Sequence, residues 1–144
     1  MTIGIGGSTA ELELAKLADM TADVKAISLQ EFNERIESAQ AIMQREGIKA
    51  VYLNAGTNLY YFTGMRWGAG ERMVGAILPA QGELQFIAPH FEQDTINEFM
   101  QVQAPLHCWH EHESPAQLFG DILAKLDIAD GTVGIDEATA FFNV

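Results

Sequence analysis

At 144 residues the chain has the size of one domain and is long enough to bury a real core. It carries 20 acidic and 8 basic residues, a net charge of −12, which argues against nucleic acid and against anionic membrane surfaces as partners. Its single cysteine, Cys108, excludes an internal disulfide and points to a reducing, cytoplasmic compartment. No apolar run approaches the ~20 residues of a membrane helix, and the first residues lack the positive start and apolar core of a secretory signal.

Gly4, Gly6 and Gly7 make a loose, glycine-rich start without the strand or the Lys-Ser/Thr of a phosphate loop. Ser8 with Glu11 forms a capping box, predicting a helix with Leu14, Leu17 and Ala18 on one side that fades near Met20. Ser28 and Glu31 form a second box. The helix they start sets Phe32, Ile36, Ala39, Ile42 and Met43 on one face, and Gly47 ends it as a left-handed cap. The unbroken apolar run Ala50-Val51-Tyr52-Leu53 suits a strand buried on both faces.

Turn formers follow at Asn54-Ala55-Gly56-Thr57-Asn58, then Tyr60, Tyr61 and Phe62, then a Thr63-Gly64 break. Met73–Leu78 reads as a second strand. Pro79-Ala80-Gln81-Gly82 is a turn, and Glu83–Ala88 returns as the other arm of a hairpin with Leu84, Phe86 and Ala88 alternating. Beyond Pro89, residues 91–100 read as an acidic helix with Ile96, Phe99 and Met100 inward. A fourth strand, Val102–Trp109, alternates Val102, Ala104, Leu106 and Cys108, and Pro105 puts it near a sheet edge. Ser114-Pro115 opens a last helix with Leu118, Ile122, Leu123 and Leu126 inward. Gly131 precedes a fifth strand, Thr132–Asp136, and the apolar close Phe141-Phe142-Asn143-Val144 suggests a domain cut from a longer polypeptide.

Several groups have chemistry to offer. Arg72 ends the glycine-containing loop after Trp67, and its planar fork suits a carboxylate; a surface pairing with Glu71 or another acid is the competing account. Arg66 carries a weaker version of both. Trp67, flanked by Gly68 and Gly70, lacks the usual core explanation and favours a pocket or interface. Two of the three rings at 60–62 read as core and the third as exposed or packed on a partner. The run His107-Cys108-Trp109-His110-Glu111-His112-Glu113 is the densest set of possible ligands. On a strand His107 and His110 face opposite ways, so a solvated strand end accounts for them better than a metal site. Asp136 and Glu137 diverge as strand neighbours and make a poor acid–base pair. No nucleophile elbow and no activated thiol is present, so no catalytic residue is assigned. Ligands of open α/β sheets bind outside the carboxyl ends of strands, where the 54–72 stretch lies.

Residues 47–93 resemble the N-terminal domain of the creatinase, Xaa-Pro dipeptidase (prolidase) and aminopeptidase P family. The matches are Gly47-Ile48, Asn58, Tyr61, Thr63-Gly64 and Pro79 to Gly82. Trp109 to Ser114-Pro115 and the closing Gly134-Ile135-Asp136 also fit, so the resemblance spans roughly 28–140. Residues 1–27 stand outside it as an extension with a helix, and 28–144 form the domain.

The resemblance implies a three-layer α/β/α domain with a ribonuclease-H-like motif and a mixed sheet of about five or six strands. It implies a non-catalytic domain that precedes a catalytic one and builds a homodimer. The absent catalytic domain would hold two divalent metals, manganese, cobalt or zinc, on Asp, His and Glu ligands that this chain lacks. It further implies that the N-terminal domain closes over the partner subunit's active site, with Trp67 and Arg72 toward the substrate carboxylate and Arg66 and Tyr60 beside them. A domain of a creatinase-like amidinohydrolase, a stand-alone binding or dimerisation module, and a small metal-binding protein built on the histidines are the alternatives.

Overall fold

In the computed structural model, which describes residues 6–128, 130–137 and 139, the apolar run at 50–53 lies inside a seven-residue strand, β1, Ile48–Asn54. The glycine at position 4 and the closing 141–144 fall outside the described residues. The first helix, α1, is only Ala10–Leu14, and its cap is Thr9, whose hydroxyl accepts from the Leu12 amide, rather than Ser8. It buries nothing, and Leu12, Leu14, Leu17, Met20 and Val24 are all exposed. The expected stripe of Leu14, Leu17 and Ala18 is too short to hold a helix without a covering neighbour, and among the described residues Leu14 and Leu17 stay exposed.

Helix α2, Leu29–Glu46, follows its sequence signals closely. The Ser28 hydroxyl accepts from the Glu31 amide, and Gly47 closes the helix at φ 72°. Glu31 turns its carboxylate to Arg35 instead of back to the cap, so only half of the box forms. Phe32 and Met43 are buried, each contributing about 1.5–3 kcal/mol, and Ile36 and Ala39 pack beside them. Ile42 was expected inward but lies 49% exposed, at the edge of a stripe narrower than the sequence suggested.

Two further strands make the hairpin, β2 at Gly75–Pro79 and β3 at Gln85–Pro89, antiparallel and paired Ala76 to Phe86. Strand β4 covers only Leu106–Trp109, after an irregular approach from Val102, and β5 is Thr132–Ile135. The order β4-β3-β2-β1-β5 puts β4 on an edge, as Pro105 requires, and Pro105 still accepts the Phe86 amide through its carbonyl. The β1–β2 and β2–β3 pairs are antiparallel, while β1–β5 and β3–β4 are parallel, so the sheet is mixed.

Helices cover both faces. On one, Leu53, Ala76, Leu78, Phe86 and Ala88 meet α2 and two short helices, α3 (Thr57–Thr63) and α4 (Gln93–Phe99). On the other, Ala50, Tyr52, Ile77 and Ile87 meet α5, Pro115–Lys125, through Ile122 with Leu118, Leu123 and Leu126 beside it. Every residue of β2 and β3 is buried, as expected for strands covered on both sides. The result is the expected three-layer α/β arrangement.

Helix α3 occupies a stretch read as turn and aromatic wall. Its buried positions are Leu59 and Thr63, one turn apart, which leaves Tyr60 and Tyr61 42% and 48% exposed and Phe62 half-buried. The expectation of two core rings among the three is therefore wrong: helical rather than strand spacing gives the core to Leu59. In α4, Ile96 and the following Met100 are buried as expected, whereas Phe99 is 44% exposed and meets Trp67 edge-on.

Candidate functional site

The strand directions bring one end of the sheet together. β2 starts where β1 and β3 finish, and β4 and β5 run parallel to β3 and β1. The segments after β1, β3, β4 and β5 and the segment before β2 therefore share one end. That end gathers 54–58, 66–72, 90–92, 110–113 and Asp136, the carboxyl-end placement expected from the sequence.

The Thr63-Gly64 break is a built stop. The Thr63 hydroxyl donates to the Leu59 carbonyl at 2.6 Å and accepts the Met65 amide at 3.1 Å. Gly64 takes φ 71° so that the chain can leave the helix, and a side chain there would sit 2.7 Å from Gln101 Cγ and 2.8 Å from Phe32 Cζ. This stop aims the next residues, 66–72, across the end of the sheet. Gly68 and Gly70 in that loop have open space around them and no positive φ, so their backbone does not demand glycine.

Trp67 is half-buried against the core on one side and lines a groove of about 190 Å³ on the other, with Arg72, Pro89 and Phe91. It also borders a second, shallower groove of about 390 Å³ with Tyr60 and Arg66. The structure thus brings all four sequence candidates, Tyr60, Arg66, Trp67 and Arg72, to adjoining grooves that share Trp67. Part of the tryptophan is core after all.

Arg72 is not free. Its Nε donates to Glu111 Oε1 at 2.8 Å and its Nη2 to Oε2 at 3.3 Å, a two-point pair between half-exposed side chains. The guanidinium also lies 5.3 Å from the Phe91 ring centre. The hydrogen bond from Arg72 holds the Glu111 carboxyl below its ordinary range, and the pair raises Arg72 in turn. The partner is Glu111, thirty-nine residues on, rather than the adjacent Glu71. Arg66 is exposed.

The histidines do not act as one set. His107 Nε2 meets Gln85 Oε1 at 2.8 Å on the α5 side of the sheet. Because the Gln85 amide nitrogen donates to the Glu83 carbonyl, its oxygen is left to accept from the ring. Burial, with the Lys125 charge second, lowers the His107 pKa. His110 lies past the strand end and stacks on His90 at 4.4 Å and His112 at 5.6 Å. Burial raises the Cys108 thiol pKa, which makes it a poor nucleophile. Among the described residues no three His, Cys, Asp or Glu side chains converge as metal ligands.

Sequence reasoning did not single out His90 or Phe91, and it held Glu111 only as a possible metal ligand, not as the partner of Arg72. His90 and Phe91 follow β3, which the antiparallel hairpin returns beside the start of β2, and Glu111 follows β4, which the parallel β3–β4 pairing brings alongside. The one available signal was the strand-end rule itself, applied to 89–92 and 109–113 as it was to 54–72.

The creatinase/prolidase N-terminal domain profile matches residues 35–143. A dipeptidase from Pyrococcus horikoshii OT3 is 30% identical, with a TM-score of 0.64 over 74% of this chain and 29% of that one. A prolidase from Thermococcus sibiricus is 25% identical, with a TM-score of 0.65 over 81% of this chain and 30% of that one. The N-terminal domain of a Xaa-Pro dipeptidase from Lactobacillus brevis is 21% identical and shares the fold, with a TM-score of 0.66 over 74% of this chain and 78% of that one. No curated protein matches the chain. The region shared with the Pyrococcus and Thermococcus enzymes is under a third of their length.

Proposed function

Because the chain belongs to the creatinase/prolidase N-terminal domain family, we propose that it is the non-catalytic N-terminal domain of a metal-dependent Xaa-Pro dipeptidase-like hydrolase. The observation that carries this reading is the match over residues 35–143 together with a shared region that makes up under a third of a dipeptidase and of a prolidase. Its partners in this reading are its own catalytic domain and a second subunit. In the homodimer the end of the sheet that holds residues 66–72 closes over the partner's substrate. Arg72 receives the substrate carboxylate, Trp67 forms an apolar wall, and Arg66 and Tyr60 border the same opening.

Two divalent metal ions, manganese, cobalt or zinc, belong to the catalytic domain in this reading and would supply the activated water. The residues described here do not fit such a centre, since no three potential ligands converge. No bond-breaking step is therefore assigned to this chain; its residues bind, orient and exclude water. The free Cys108 supports a cytoplasmic setting. The charge of −12 speaks against nucleic acid, and among the described residues no helix is long and apolar enough to cross a membrane.

The test is steady-state hydrolysis of a panel of X-Pro dipeptides with manganese, by the 144-residue chain and by the protein encoded by the uninterrupted reading frame. Activity in the longer protein alone is the expected result. Activity in the short chain would overturn the non-catalytic assignment. Inactivity of both would remove the dipeptidase parent and favour a creatine-like substrate or a purely binding role.

A further inference from the structure

The carboxylate that the proposed function brings to Arg72 meets a fork already filled. Glu111 contributes both of its oxygens to Arg72, at 2.8 and 3.3 Å, in the parallel two-bond geometry that a ligand carboxylate would adopt. The Phe91 ring centre lies 5.3 Å from the guanidinium carbon, and Phe91 and Arg72 line the same groove as Trp67. The pair has no core role: both side chains are at least half exposed, and it ties together two loops at the carboxyl end of the sheet.

Glu111 is also held in place by its own loop. The Glu113 carboxylate accepts the His110 amide and the Glu113 amide donates to the His110 carbonyl, each at 2.8 Å, closing a tight turn around Glu111. His110 and His112 flank Glu111 in the chain, and the His110 ring is stacked between His90 and His112. A short turn with a stacked base presents one carboxylate to one arginine. Glu71 and Glu92 add negative charge around Arg72 without a bond to it.

We propose that Glu111 is a built-in occupant of the Arg72 fork, an internal carboxylate that an incoming ligand carboxylate displaces. This rests on the reading that Arg72 binds the substrate carboxylate. Glu111 then sets specificity by competition: a ligand gains Arg72 only if its carboxylate outcompetes a tethered one, so neutral and amidated ligands do not open the fork.

The experiment follows the Arg72 Nε–H resonance of the whole 144-residue chain while glycyl-proline, glycyl-prolinamide or acetate is added. Glu111→Gln is expected to bind glycyl-proline and acetate about three- to fivefold tighter than the natural chain, the range of one well-aligned exposed pair. Glu71→Gln is the charge control and is expected to shift affinity less than twofold, about the scale of a non-bonded surface charge. Glycyl-prolinamide leaves the resonance in place. Equal half-saturation in the natural chain and Glu111→Gln overturns the competition while leaving Arg72 as a carboxylate site. An equal gain in Glu71→Gln also overturns it, because net charge alone then explains the effect. A resonance that no carboxylate moves in any variant overturns both the competition and the carboxylate role of Arg72.

Discussion

The side-chain amide of Asn58 donates to the Asp136 carboxylate at 3.0 Å, joining residues seventy-eight positions apart. It ties the first turn of α3 to the segment just past β5, at the end of the sheet that holds the grooves. Asn58→Ala is expected to lower stability by about 0.5–1.5 kcal/mol, the usual net value of one such bond. Urea unfolding reads this as a lower midpoint at an unchanged slope. An unaltered midpoint would mean that the bond is matched by water.

Three glycines separate backbone need from mere presence. At Gly64 a Cβ meets Gln101 and Phe32 and φ is positive, and at Gly75 it meets the Leu53 carbonyl and the Tyr52 ring at 2.7 Å. Alanine at either position is expected to destabilise by about 2 kcal/mol or more, through strain and overpacking. Gly68→Ala, with open space and an ordinary backbone, is expected to stay within about 0.5 kcal/mol. Thermal unfolding of the three variants side by side checks the ranking.

His107 makes stability depend on pH in a definite direction. Burial holds its folded pKa below the ordinary 6.5, so in that window the unfolded chain binds a proton that the folded chain refuses. Stability is complete above 6.5 and falls as pH drops through that value toward the folded one. Between about pH 7.5 and about pH 5 the natural chain is expected to lose more stability than His107→Gln, which cannot titrate there. Parallel pH profiles would remove His107 as the cause.

Arg72→Ala in the full-length enzyme is expected to raise KM for an X-Pro dipeptide about tenfold while the unfolding free energy moves by less than about 0.5 kcal/mol. The half-exposed surface pair with Glu111 explains the second expectation. Unchanged kinetics would take Arg72 out of the substrate site.

Most of the fold was legible because its signals are local. A cap at Ser28, a glycine at 47, the Pro79 to Gly82 turn and the proline before β4 each state their own consequence within a few residues. Helix α3 was not legible: it has seven residues, starts at Gly56 without a side-chain cap, and its core face is only Leu59 and Thr63. Ile42 and Phe99 failed differently. Periodicity gives the direction of an apolar stripe but not how wide the covering layer is. For the site, Tyr60, Arg66, Trp67 and Arg72 were readable as one loop-rich stretch. Glu111 was not, because the β3–β4 register that sets it beside Arg72 leaves no mark in either segment; Phe91 follows from the hairpin that returns β3 beside the start of β2.

The position of β5 has a consequence for synthesis. The first strand made, β1, takes one neighbour from the hairpin that follows it and the other from Thr132–Ile135, near the far end of the chain. A growing polypeptide can therefore assemble β1, β2 and β3 early, yet one long edge of β1 keeps its amides and carbonyls unpaired until residue 135 has been made. Through that interval the nascent sheet offers an open, mostly apolar border, which is where a holding chaperone or a wrong strand would attach.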